Sequence, residues 1–247
     1  MYLTTRGLVL RETKYKEADK ILTLLTEDVG KLAVNARGVL RKNSRIAAGC
    51  QLLTFSDFTL FENRGRWSVD EAQSVEQFLG LRGDISLLAL GAYFAELLET
   101  VSDEDSPDPE ILHLGLNSLF ALAGNYYPPE HIKAVFELRL MCLAGYEPQL
   151  DACPVCGKSE ALRPVFSTRG GCLLCAGCAG SEYGETVSLT PSVLEALRYI
   201  ERAENKKIFS FSLSERDEAL LARICESYVT AQLERRFASL DYWRSVR

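Results

Sequence analysis

Two Cys-x-x-Cys pairs, Cys153 with Cys156 and Cys175 with Cys178, stand eighteen residues apart and constrain this chain more than any other feature of it. A Cys-x-x-Cys turn aims two sulfurs from one tight loop at a common point. Two such loops facing each other complete a tetrahedral thiolate shell for one Zn²⁺, with sulfur–metal distances of about 2.3 Å. The local residues agree: Pro154 stiffens the first loop, Gly157 follows its second sulfur, and Gly177 lies within the second loop. The reading is one structural zinc. A disulfide framework or a redox pair are the rival readings, but nothing in the chain points to export and a redox motif has no need of two copies. Cys172 competes with Cys178, because Cys172-Leu173-Leu174-Cys175 is itself a Cys-x-x-Cys. The glycines at 177 and 180 favour Cys175 and Cys178, leaving Leu173-Leu174 as a short strand leading into the site and Cys172 as a buried hydrophobe. Cys50, Cys142 and Cys225 stand singly among apolar residues and read as packed side chains.

A four-cysteine shell leaves zinc no open position for water or substrate. Catalytic alternatives are equally thin. The two histidines, His113 and His131, fall on expected helices, the phosphate-loop and His-Glu-x-x-His patterns are absent, and Asp103-Glu104-Asp105 beside Ser106-Pro107 reads as a solvated loop. The chain is expected not to be an enzyme.

The fold class expected is α+β. Within residues 1–80, short apolar runs at Gly7–Leu10, Ile21–Leu25, Lys31–Val34, Phe55–Phe61 and Trp67–Val69 alternate with turn signals at Asp28-Val29-Gly30 and Asn63-Arg64-Gly65. Five short strands in about 75 residues predict a small closed barrel of the OB type, which handles single-stranded nucleic acid in many proteins. From Asp84 the period turns helical. Helices are expected over residues 85–101, 109–123 and 129–144, the last apolar on nearly every side and therefore central, then from Thr190-Pro191 and from Ser214 to about Ser239. Residues 81–247 thus read as one helical domain interrupted by a zinc insertion at about 150–188. No basic-then-apolar leader opens the chain and no apolar run approaches about 18 residues, so a cytoplasmic, membrane-free protein is expected.

The formal net charge of −6 argues against a nucleic-acid partner, yet its distribution does not: residues 1–80 carry +2 and the remainder −8. Screening confines exposed charges to a reach of about 8 Å, so a basic face on an acidic body is allowed. The segment Arg37 to Arg45 holds Arg37, Arg41, Lys42 and Arg45 with no acid, directly after the expected strand from Lys31. Arg64, Arg66 and Trp67 join cations to an aromatic ring at another hairpin, a combination that suits phosphate contact plus base stacking.

These residues carry a family resemblance. Tyr15-Lys16-Glu17-Ala18-Asp19-Lys20-Ile21-Leu22-Thr23-Leu24-Leu25-Thr26, Gly30-Lys31-Leu32, Ala36-Arg37-Gly38-x-x-Arg41, Cys153-Pro154-Val155-Cys156-Gly157 and Gly170-Gly171-Cys172-Leu173-Leu174-Cys175 resemble the bacterial DNA repair and recombination mediator family RecO over nearly the whole chain. The resemblance implies a nucleoid-associated protein of the RecF pathway that binds single- and double-stranded DNA, anneals complementary strands and, with RecR, assists RecA loading on strands coated by single-strand-binding protein. It places DNA contacts on the barrel, carried here to Lys31, Arg37, Arg41, Lys42, Arg45, Arg64 and Arg66, while Val39 and Leu40 depart from the more basic or small residues of many members. It also implies that the acidic, Phe-ended tail of single-strand-binding protein docks on the helical domain, for which Arg198, Arg202, Arg235 and Arg236 beside Leu194, Leu197 and Phe237 are the candidates. The alternative is a zinc-stabilised protein-interaction module without direct DNA binding.

Overall fold

The computed structural model describes residues 1–159 and 163–247; residues 160–162, inside the expected zinc insertion, lie outside the described residues. Strands β1 (Tyr2–Tyr15), β2 (Asp19–Thr26), β3 (Gly30–Ala36), β4 (Phe55–Asn63) and β5 (Arg66–Glu76) close into a barrel in the order β1-β2-β3-β5-β4. This is the five-stranded barrel the alternation predicts. β4 shows why it closes. Phe58 and Leu60 point inward and are fully buried, while Asp57 and Phe61 alternate with them and face out. β1 and β2 are buried more continuously, because α2 contacts both strands on their outer side. The seam is the junction of β3 with β5, a parallel pairing through Val34↔Trp67 and Asn35↔Ser68, reinforced where the Asn35 amide donates to the Trp67 carbonyl at 3.2 Å.

The basic segment after β3 does more than form a surface loop. Val39, Ile46, Ala47 and Cys50 fold into the barrel core, with the Cys50 amide donating to the Ile46 carbonyl at 3.2 Å. Val39 therefore answers a packing need where a charged residue would be buried.

Helices α1 (Leu79–Arg82), α2 (Ile85–Val101) and α3 (Pro109–Ala123) follow. Asp84 caps α2 by accepting from the Ser86 and Leu87 amides, and Asp108 caps α3 in the same way with Pro109 at its first position. A Cβ at Gly115 would come within 2.7 Å of Leu98, which fixes why α3 carries a glycine against α2. These elements belong to one compact unit, residues 1–124 with 237–247; residues 125–236 form a second.

The second unit contains α4 (Pro129–Leu143), a small sheet of β6 (Pro164–Ser167), β7 (Cys172–Cys175) and β8 (Thr186–Ser188) in the order β7-β6-β8, then α5 (Pro191–Arg202) and α6 (Glu215–Leu233). Thr190 and Ser214 cap the last two helices, as their sequence positions predict. α4 is buried as expected, but it also buries charge. Lys133, 2% exposed, pairs at 2.8 Å with Glu137 on the next turn and at 2.8 Å with Glu226 of α6. Burial alone would lower the Lys133 pKa; the two carboxylates outweigh it and raise the value.

The helix expected from Ser214 to about Ser239 is broken. Glu234 turns left-handed at φ 50°, and a separate helix α7 (Ala238–Val246) returns the chain to the first unit. Its N-terminus is held by tertiary contacts: Glu96 of α2 accepts from the Ser239 amide and hydroxyl, and Phe237 packs edge-on against Tyr93 at 5.7 Å. No sequence-local signal reports those partners.

Candidate metal centre and nucleic-acid interface

The metal centre is built by two turns and a hairpin. In the first turn the Gly157 amide donates to the Cys153 carbonyl at 2.8 Å, and Gly157 adopts φ +70°, a conformation open to glycine at little cost. The second pair begins on β7 and ends in a short 3₁₀ turn over Ala176–Cys178. The sulfurs of Cys153, Cys156, Cys175 and Cys178 all lie within 4.8 Å of one another, and Cys156 Sγ is 3.7 Å from Cys175 Sγ. A tetrahedral thiolate shell with bonds of about 2.3 Å has edges of about 3.8 Å. The donor set therefore fits a metal ion.

The charges argue the same way. Burial pushes the Cys153 thiol up, but the backbone amides of Cys175, Cys156 and Val155 more than compensate and bring it to about 6. Cys178 is driven the opposite way, to about 12, first by its hydrogen bond with Cys156, then by burial and by the neighbouring sulfurs. Four thiolates packed this closely repel one another, so a fully ionised cluster needs a cation at its centre. Cys172 is not part of the group. It is buried on β7 opposite Ser167, and a Cβ at Gly170 would lie 3.3 Å from its sulfur. Cys50 and Cys142 have thiols pushed to about 12 by burial, and burial also raises Cys225 well above its ordinary value, in keeping with packed roles.

On the barrel, the seam between β3 and β5 opens into a cleft of about 420 Å³ lined by Asn35, Arg37, Phe61, Asn63, Arg64, Arg66, Trp67 and Ser68. Four of the sequence candidates, Arg37, Arg64, Arg66 and Trp67, thus meet there. None of the three arginines has an ion-pair partner among the described residues, and the cleft lining contains no acid. Elsewhere on the barrel Arg6, Arg11 and Lys20 are neutralised by Asp57, Glu99 and Glu12. Arg64 and Gly65 both have positive φ, 53° and 74°, between the terminal pair Asn63↔Arg66, which makes a two-residue type I′ hairpin. An arginine in the left-handed region costs on the order of 1 kcal/mol, and here it lifts a guanidinium to the rim of the cleft. Trp67 is half-buried and packs against the barrel core while lining the cleft, so it serves both fold and site.

The remaining candidates are dispersed. Lys31 Nζ donates to the Glu99 carbonyl at 2.9 Å and its amide to the Asp103 carbonyl at 3.0 Å, which ties β3 to the end of α2. The Cδ, Nε and Cζ atoms of Arg41 lie over Gly38, itself in a turn at φ +65°, and Lys42 is exposed. Arg45 lines a different cleft of about 370 Å³ walled by Asp57, Asp70 and Glu71, where a phosphate would meet three carboxylates. Sequence reading missed Asn35, Phe61 and Asn63; the place of Phe61 at an outward position of β4 was the available signal.

In the second unit, Arg198, Tyr199 and Arg202 on α5 line a cleft of about 920 Å³ with Phe211 and Leu213. Arg198 pairs with Glu195 at 2.8 Å and donates to the Leu150 carbonyl, and Arg202 pairs with Asp151. Leu197 and Phe237, expected beside these cations, are core residues, Leu197 of this unit and Phe237 of the other. The apolar wall is supplied by Phe211 and Leu213 instead.

A closed five-stranded barrel, followed by helices and a small hairpin whose four clustered cysteines could hold a metal ion, defines the architectural class. Residues 1–78 match the family model described as Recombination protein O N terminal, and residues 82–241 match Recombination protein O C terminal. Proteins named DNA repair protein RecO are similar along the whole chain: that of Acetivibrio thermocellus is 31% identical over 99% of this chain and 97% of its own, that of Alkaliphilus metalliredigens 30% over 100% of each, and that of Caldicellulosiruptor bescii 28% over 99% of each. The chain belongs to the RecO family. Among the described residues no helix is long and apolar enough to cross a membrane.

Proposed function

We propose that this protein acts in DNA repair and homologous recombination as a non-catalytic mediator that binds DNA on its barrel and anneals complementary strands. The observation that carries the reading is the cleft at the barrel seam, where three arginines without ion-pair partners among the described residues surround two aromatic rings and no acid. Guanidinium groups take phosphate oxygens through paired N–H donors, and aromatic faces take unstacked bases without regard to sequence. A protein that neutralises two strands at once lowers their repulsion, so annealing proceeds without a chemical energy source. The family resemblance adds RecR as partner and RecA as the recombinase loaded.

The metal is assigned as one structural zinc, since four thiolates in a closed shell suit Zn²⁺ and leave no position for substrate. The cleft on α5 supports docking of the tail of single-strand-binding protein: a short acidic peptide with an apolar end would exchange Glu195 and Asp151 for its own carboxylates on Arg198 and Arg202 and seat its ring against Phe211 and Leu213. The deciding experiment is annealing of complementary strands coated with the cognate single-strand-binding protein, alongside DNA retention at low salt. Acceleration of annealing together with saturable DNA binding is expected. Tail binding without DNA retention would leave the protein as an interaction module.

A further inference from the structure

Outward positions of a barrel strand meet water, and on β4 Asp57 and Thr59 fill them as that demands. The next outward residue is Phe61, 37% exposed, and its partner across the β1–β4 register is Tyr2, 64% exposed. Their rings lie 5.0 Å apart, tilted by 47°. The packing of the barrel does not require this pair, because the interior at this level is already filled by Leu60 and Val69. Phe61 is also a wall of the cleft that gathers Arg37, Arg64 and Arg66. A continuous aromatic surface therefore runs out of a cationic cleft.

We propose that Phe61 and Tyr2 form a stacking ledge on which successive unpaired bases leave the cleft, and that this ledge makes the barrel end discriminate single strands from duplex. The inference rests on the DNA-binding reading of the cleft. The charge of the lining selects a polyanion, and the exposed ring faces select one that carries flat apolar groups. A cleft of about 420 Å³ falls in the range of small-ligand sites, about 300–1,000 Å³, and so admits a nucleotide or two. In a duplex the base faces are stacked on one another and only phosphates reach the protein. Arginines then serve both forms of DNA, and the ledge serves one.

The test compares binding of a labelled oligothymidylate and a labelled hairpin duplex by fluorescence anisotropy to the full chain, with Tyr2→Ser/Phe61→Ser and the conservative Tyr2→Phe/Phe61→Tyr as variants. Base stacking on an aromatic residue is worth about 1–3 kcal/mol per base, so the serine variant, which removes two rings, is expected to lose about thirtyfold or more in single-strand affinity. Its duplex affinity and its salt slope should hold, and the conservative variant should bind both as the unaltered chain does. Equal loss on both DNAs, or no loss on either, overturns the ledge while leaving the DNA-binding reading in place. Failure of the unaltered chain to bind either DNA at low salt overturns that reading and the ledge with it.

Discussion

The thiolate cluster and the barrel cleft are candidate sites of opposite construction. Every sulfur of the first comes from residues 153–178, in two turns, the first closed on itself by the Gly157 amide on the Cys153 carbonyl and the Cys153 amide on the Lys158 carbonyl, the second tied to the adjacent strand by the Ala176 amide on the Arg163 carbonyl. The second takes residues from β3, β4, the hairpin between β4 and β5, and β5, and it exists because the barrel closes there. A site made of turns is encoded by spacing, while a site at a seam is encoded by strand register. Damage should follow the same division. Removing a sulfur dismantles the surrounding structure; removing an arginine leaves the barrel standing and empties only the function.

The largest effect that can break this contrast lies at the metal. Metal analysis of purified protein should give about one zinc per chain, and Cys153→Ser or Cys178→Ser should abolish it and loosen the hairpin of β6 and β7, because structural zinc binding, worth about 10–16 kcal/mol, is folding free energy. Cys172→Ser should retain the metal. Loss of metal in Cys172→Ser but not in Cys178→Ser would exchange the fourth ligand.

Next in size is a control for fold without site. Lys133→Ala strands two carboxylates around a buried position and should cost about 3–5 kcal/mol in denaturant unfolding, with metal content and DNA binding per folded molecule unchanged. The sign of its pH dependence follows from the raised pKa of Lys133. The lysine contributes stability that is complete below its ordinary 10.5 and is lost only as pH climbs through the raised value, so the neutral range should show none of this loss.

On the cleft, joint replacement of Arg37, Arg64 and Arg66 by Gln should flatten the log–log salt dependence of single-strand binding by about two units, at about 0.7 per phosphate contact. The same change at Arg41, Lys42 and Arg45 should move it less, since Arg45 sits among Asp57, Asp70 and Glu71. Equal flattening by both sets would place the phosphates along the whole basic segment. Trp67→Ala should weaken binding at unchanged slope and also lower stability by about 2 kcal/mol, because the ring packs on the barrel core.

The smallest effect sharpens the contrast most. Arg64→Asn puts a residue suited to the left-handed region into the type I′ turn, and should raise thermal stability by about 1 kcal/mol or less while lowering DNA affinity. Gain in one and loss in the other would mark Arg64 as strain kept for function.

Sequence alone determined what depends on near neighbours. Cys153, Cys156, Cys175 and Cys178 are legible because knuckle spacing and Gly157 are local facts, and the caps at Thr190 and Ser214 and the alternation of β4 are local in the same sense. The family membership rests on such motifs strung in order. Tertiary structure alone decided the rest. It split one expected helix at Glu234, since Glu96 and Tyr93, more than a hundred residues away, hold the start of α7. It put Val39 into the barrel core, tied Lys31 to α2, and separated Arg45 from Arg37 although eight positions part them in the chain. A charge run fixes how many cations a segment has, but the register of five strands fixes which of them face a common space, and that register is a property of the closed barrel rather than of any one strand.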